Sequence, residues 1–122
     1  MRSQRQDRGQ ATVELALCLP LVCLLLLGVV QIAVVVRDQL AVVLAAREAA
    51  RAAAASADPQ GAGADAASRS IALRPLRVDV VDAGDTVTAS VHHRAETSVP
   101  LIGALLPDID LVGRATMAIE PP

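Results

Sequence analysis

The stretch LALCLPLVCLLLLGVVQIAVVV, Leu15–Val36, decides what kind of molecule this is. Only Pro20, Gly28 and Gln31 interrupt its apolar run. As a helix rising ~1.5 Å per residue it would reach about 33 Å, which matches a hydrocarbon core of ~30 Å. A core helix of a soluble protein would carry a polar face, and this segment has none. The stretch therefore predicts a membrane-spanning helix. Pro20 falls in its second turn, where a kink is tolerated.

The flanks give it a direction. The leader MRSQRQDR sets Arg2, Arg5 and Arg8 against Asp7, whereas Arg37 and Asp38 cancel on the far side. Arginine-rich flanks stay in the cytoplasm, so the N-terminus is expected inside and everything after Val36 outside. A secretory signal has the same orientation, but its apolar region is ~7–15 residues long and leads into a small-residue cleavage site. Here Arg47, Glu48 and Arg51 intervene before the Ala-Ser-Ala of Ala55–Ala57. Release of a small secreted domain by a cut there is the weakest reading.

Composition limits what lies beyond the span. The chain has 122 residues and is 53% hydrophobic, with much of the apolar content in its first third. Phe, Tyr and Trp are absent, so an outer core must be built from Val, Leu, Ile and Ala, and it must be small. All eleven basic residues are Arg, and a net charge of −2 leaves no electrostatic footprint for nucleic acid. Cys18 and Cys23 diverge by roughly 140° on a helix, which excludes an internal disulfide or a shared metal.

The helix is expected to continue past the membrane, because Arg37–Ala57 lacks Gly and Pro and is rich in Ala. Val42, Ala46, Ala49 and Ala53 fall on one stripe with Gln39, and Val36, Val43 and Ala50 flank it. Arg37, Glu48 and Arg51 lie opposite, with Glu48 and Arg51 spaced for an i,i+3 pair. A small-residue stripe lets another element approach closely. Asp58-Pro59-Gln60-Gly61-Ala62-Gly63 should end this helix, and a short second helix is expected over Asp65–Leu73, capped by Asp65.

Leu76–Asp82 and Thr86–His92 alternate as strands around a tight turn at Ala83-Gly84-Asp85. Ile109–Glu120 alternates again, with Leu111, Gly113, Ala115, Met117 and Ile119 on one side. Pro100 and Pro107 bracket LIGALL, an apolar loop or a single helical turn. Three strands with one apolar face need a cover, and the outer half of the long helix is the candidate. The expected fold class is thus α+β, with a long transmembrane helix extending outside the membrane and carrying a small three-stranded antiparallel sheet.

Catalytic residues do not assemble on this scheme. His92 and His93 are adjacent, so on a strand they point to opposite faces and cannot share a metal. Asp79, Asp82 and Asp85 surround a turn but lack the spacing of an EF-hand loop. No G-x-S-x-G, P-loop or nucleophile with a base is present. The expectation is no enzyme, no catalytic or metal-ligating residue, no cofactor and no small-molecule substrate.

One residue remains unexplained on composition alone, the ionisable Glu14 at the mouth of the span. Gly9-Gln10-Ala11-Thr12-Val13-Glu14, basic before and apolar after, resembles the processing site of type IV prepilin-like proteins. More closely, GQATVELALCLPLVCLLLLGVVQ with LAAREAARAAA is similar to the TadE-like family, minor pseudopilins of the Tad (Flp-type) pilus system. GRATMAIE, after its proline-flanked apolar stretch, resembles the C-termini of that family. The likeness is close up to about Ala55 and looser beyond Asp58. Type IV pilins tend to begin with an aromatic residue after cleavage, and Gln10 departs from that pattern.

The resemblance implies a prepilin peptidase cut between Gly9 and Gln10 on the cytoplasmic side. It implies that Glu14, then the fifth residue, pairs with the new amine and fixes subunit register. It further implies a minor pilin or assembly component of a Tad-type pilus or type II-like secretion machine. The partners would be the peptidase, other pilin subunits and an inner-membrane platform. The implied organisation is a cytoplasmic leader (1–9), a transmembrane helix (10–36), an exported helical extension (37–57) and an exported α+β domain (58–122). Location would be the cytoplasmic (inner) membrane, single-pass, with incorporation into a surface pilus. The competing expectation is an unprocessed, single-pass anchored binding module outside the cytoplasm.

Overall fold

A computed structural model describes residues 2–95, 105 and 107–119, the first three as backbone only. LIGALL lies outside the described residues apart from Leu105.

The apolar span and its extension form a single helix, α1 (Arg2–Ala54), of 53 residues. At ~1.5 Å per residue it is about 80 Å long, and Pro20 sits within it without ending it. Its last turn tightens, with the Ala55 and Ser56 amides donating to the Ala52 and Ala53 carbonyls at 3.3 Å. Glu48 and Arg51 pair across one turn at 3.8 Å.

The next helix corrects the expectation for 58–73. Helix α2 spans Pro59–Ser70 and is capped by Asp58, not Asp65. The Asp58 Oδ1 accepts from the Gly61 amide at 3.2 Å, and Pro59 occupies the first turn. Asp before Pro is a helix start, because the carboxylate satisfies an orphan amide and proline has none to lose. The glycines do not break α2 because one is a contact point. A Cβ on Gly63 would lie 2.8 Å from Val80 Cγ2 and 3.4 Å from the Ala49 carbonyl. Asp65 lies inside α2, and its carbonyl accepts from Ser68 and Arg69.

Three strands follow, β1 (Leu76–Asp82), β2 (Thr86–Ala95) and β3 (Ile109–Ala118), in one antiparallel sheet of order β1-β2-β3. The fold is α+β, as the alternation required. Strand β2 runs three residues past His92, its expected end, so His93 and Ala95 join its buried face. At the β1–β2 turn Gly84 has φ +94°, its amide donates to Asp82 Oδ1 at 2.8 Å, and Ala83 donates to the Thr86 carbonyl. That backbone conformation favours glycine.

The inner face of the sheet carries Val87, Ala89, Val91 and Leu111, and α1 covers β2 and β3. Helix α2 wedges between α1 and β1, a cover that the alternation of the strands did not disclose. Gln60 holds it there, its Nε2 donating to the Val78 carbonyl at 2.8 Å and its Oε1 accepting from the Val80 amide at 2.9 Å. The side-chain amide thus stands in for a neighbouring strand along β1. Gln60→Ala should cost about 1–3 kcal/mol, two hydrogen bonds at ~0.5–1.5 each, read as a lower midpoint of thermal unfolding.

Candidate functional site

The N-terminal residues of interest share one continuous helix. Arg5, Arg8, Gly9, Gln10 and Glu14 are all exposed, and a Cβ on Gly9 would meet nothing within 4 Å. Thr12 Oγ1 donates to the Arg8 carbonyl at 2.9 Å, a back-bond that occupies the hydroxyl on its own helix. Gln10 and Glu14 stand at i and i+4, so they lie above one another on one face. Arg2 falls among the residues described as backbone only, so its side chain is not placed.

Above this site every residue from Arg5 to Leu26 is exposed, including Val13, Leu15, Leu17, Leu19 and Leu21. Such a large exposed apolar cylinder requires a lipid or protein partner. One helix is long and apolar enough to cross a membrane, with mean hydropathy 2.8 over its best window. This is an apolar N-terminal helix of membrane-anchoring character.

The outer half of α1 behaves differently. Val42, Ala46, Ala49 and Ala53 are buried, together with Ala45 and Ala50, against the sheet and α2. The partner of the alanine face is therefore the chain's own domain. At its closest point the helix meets Gly113, where a Cβ would lie 2.5 Å from the Val42 carbonyl oxygen and 2.8 Å from the Val43 nitrogen. Gln39 Nε2 donates to the Val112 carbonyl at 3.0 Å, fixing the register between α1 and β3.

Two polar residues on the same face escaped the sequence reading. Gln31 is 6% exposed, and its Oε1 has no hydrogen-bond partner among the described residues. Asp38 is buried beside Val42 while Arg37, paired with it at 3.2 Å, stays in solvent. Helical phase was the available signal, since Gln31, Asp38, Val42 and Ala49 fall on one stripe.

On the sheet, His92 faces outward and His93 inward, as adjacency on a strand requires. The His93 Nδ1 lies 3.0 Å from the Pro75 carbonyl, and since a carbonyl only accepts, that nitrogen carries the proton. His92 instead approaches Asp79 at 3.8 Å, beside Arg77 at 3.5 Å from the same carboxylate. Arg77, His92 and His93 line a shallow groove of about 420 Å³ with Arg94, Asp110 and Val112. Among the described residues no three His, Cys, Asp or Glu converge as a metal site. The basic groups of the groove pair with carboxylates outside its lining, Arg77 and His92 with Asp79 and Arg94 with Asp108.

Comparison with known proteins adds one finding, a match of residues 9–51 to the family model described as TadE-like protein. The match starts at Gly9 and ends at Arg51, so it covers the apolar span and the alanine face up to Ala50 but not the sheet. No curated protein and no solved structure matches the chain.

Proposed function

We propose, from a chain that is TadE-like over residues 9–51 and so tied to Tad-pilus-associated proteins, that it serves as a minor pilin or pilus-assembly component. The observation that carries this reading is the start of the match at Gly9, the glycine that stands five residues before Glu14 on the same helix. In this reading a prepilin peptidase cuts between Gly9 and Gln10 at the cytoplasmic face. The arginine leader holds that end inside, and the sheet lies outside the cytoplasm.

The chemistry of the cut explains Glu14. Cleavage leaves a positive amine on Gln10, one turn below the Glu14 carboxylate and on the same face. A carboxylate at the centre of a bilayer costs roughly 2.5–3.5 kcal/mol and less near its edge. The carboxylate also sits in the first turns of the new helix, where the macrodipole favours negative charge. The new amine, on this chain or on a neighbouring subunit, neutralises the carboxylate and sets the axial position of one stem against the next. The role is structural, with partners among other pilin subunits and the inner-membrane platform.

Co-expression with a prepilin peptidase, followed by intact-mass measurement, tests the reading. Loss of the mass of Met1–Gly9 supports it. An unchanged mass favours the unprocessed anchored module, and a cut near Ala57 favours release of a secreted domain. Glu14→Ala is expected to be cut normally yet to enter the assembly poorly, by about tenfold for a lost interaction near 1.4 kcal/mol. Normal incorporation of that variant, measured in sheared pilus fractions, removes the pairing role.

A further inference from the structure

The apolar span and the outer domain overlap along α1. Residues that would have to lie in the outer half of a bilayer are already shielded on one side: Leu27, Gly28, Val34 and Val35 are half-buried and Gln31 is buried. Only Leu15–Leu26 is apolar and bare all round, about 18 Å of helix at ~1.5 Å per residue. Counted from Gln10 the bare length is still only about 26 Å, short of a hydrocarbon core of ~30 Å. The span therefore cannot cross with its whole circumference in lipid while the domain stays clear of the membrane.

The register of the sheet gives the same depth independently. Gly113 sits against the Val42 carbonyl, whereas Met117 and Ala118 lie beside Arg51 and Ala54, so β3 runs outward in parallel with α1. Ile109 lies four residues below Gly113, about 13 Å at ~3.3 Å per residue before any tilt. That places the start of β3 level with about Ala33 to Val35, and Val35 does pack against the cluster containing Leu111 and Ala95. The foot of the domain is thus within the span read from the sequence.

The surface at this level mixes apolar side chains with the exposed charges of Arg94, Asp108 and Asp110. Leu105 is 79% exposed, and Ile109 and Val112 are open at 36% and 41%. On the back of α1, Val36, Leu40 (66% exposed) and Leu44 continue the apolar surface beyond Arg37, ending at Arg47 and Arg51. Of the charges at the foot, Arg37 extends into solvent on a stem long enough to reach toward the headgroups, and Arg94 is paired with Asp108 at 3.4 Å.

We propose that the outer domain does not stand clear of the membrane but is seated in its outer leaflet. Leu105, Ile109 and Val112 at the end of the sheet, and Val36, Leu40 and Leu44 on the back of α1, contact lipid, and the effective boundary of α1 is Arg47. From Leu15 to Leu44 the helix covers about 45 Å, which fits a bilayer of ~40–45 Å including its headgroups. This inference rests on α1 crossing a membrane but not on processing at Gly9.

Spin labels on single cysteines in the full chain test it, in a Cys18→Ala, Cys23→Ala background reconstituted into phosphatidylcholine–phosphatidylglycerol vesicles. Leu24→Cys is the lipid reference, and Val81→Cys, exposed near the far turn, is the water reference. Labels at Leu40→Cys and Leu105→Cys are expected to favour oxygen over a water-soluble nickel chelate several-fold more than the Val81 label. That preference should persist when the protein is diluted in lipid. Water-like values at Leu40 and Leu105 with a lipid-like Leu24 overturn the seating alone. A water-like Leu24 overturns the membrane span as well. Protection that vanishes on dilution assigns the surface to a second copy of the chain and overturns the proposal.

Discussion

Gly113→Ala is expected to lower the stability of the outer domain by about 2–3 kcal/mol, the upper part of the usual range for overpacking. The added Cβ would fall 2.5 Å from the Val42 carbonyl oxygen, 2.7 Å from its carbon and 2.8 Å from the Val43 nitrogen. Those are backbone atoms in the middle of a long helix, so no side-chain rotation relieves the clash. Either α1 moves away from β3, opening the layer around Val42, Val91 and Leu111, or β3 shifts and loses the Gln39 hydrogen bond. For a small domain a loss of that size lowers the unfolding midpoint by roughly 10–20 °C. Circular dichroism melts in detergent would measure it, with Val81→Ala as an exposed strand control. A variant melting within a degree or two of the parent would mean that α1 and β3 do not meet at this register.

Gly9→Val should abolish processing without harming the fold. The position is open on all sides, so the valine displaces nothing. Glycine inside a helix is itself a weak point, costing ~1 kcal/mol relative to alanine, and it favours the local unwinding a peptidase needs to reach the bond. On the proposed processing, a branched side chain stiffens the backbone at the scissile position and adds bulk next to the bond to be cut. Displacing reacting atoms by about an ångström can cost on the order of 100-fold in rate, so the chain should remain at full mass under conditions that convert the parent. Because the melt of the outer domain should not change, lost cutting would report recognition and not misfolding. Cutting that persists between residues 9 and 10 would mean that the peptidase does not read Gly9.

Much of this architecture was legible because two periodicities dominate the sequence. Leu15–Val36 has no polar face, and the strands around Gly84 alternate cleanly, so element type and the inward set of Val87, Ala89 and Val91 followed directly. What escaped depends on contacts between distant segments. The glycines of α2 look like breakers until Gly63 is seen closing on Ala49 and Val80. Gln31 and Asp38 look like isolated polar interruptions until the domain is laid against that side of α1. The depth of the domain was hidden for the same reason, since hydropathy measures a segment's length and not which side of it is already occupied. For the N-terminal site, Gly9, Gln10 and Glu14 are legible as a pattern, and the roles proposed for them involve a peptidase and a neighbouring stem.

The two outer strands of the sheet are each met by a glutamine from a helix, Gln60 on Val78 and Val80 of β1 and Gln39 on Val112 of β3. An unprotected strand edge recruits other strands, a hazard for any chain stored at high density beside copies of itself. Here a helix-borne amide occupies hydrogen-bonding groups on both margins, so stray cross-β growth is discouraged. Two side-chain amides thus oppose edge-to-edge growth at the points where they meet β1 and β3.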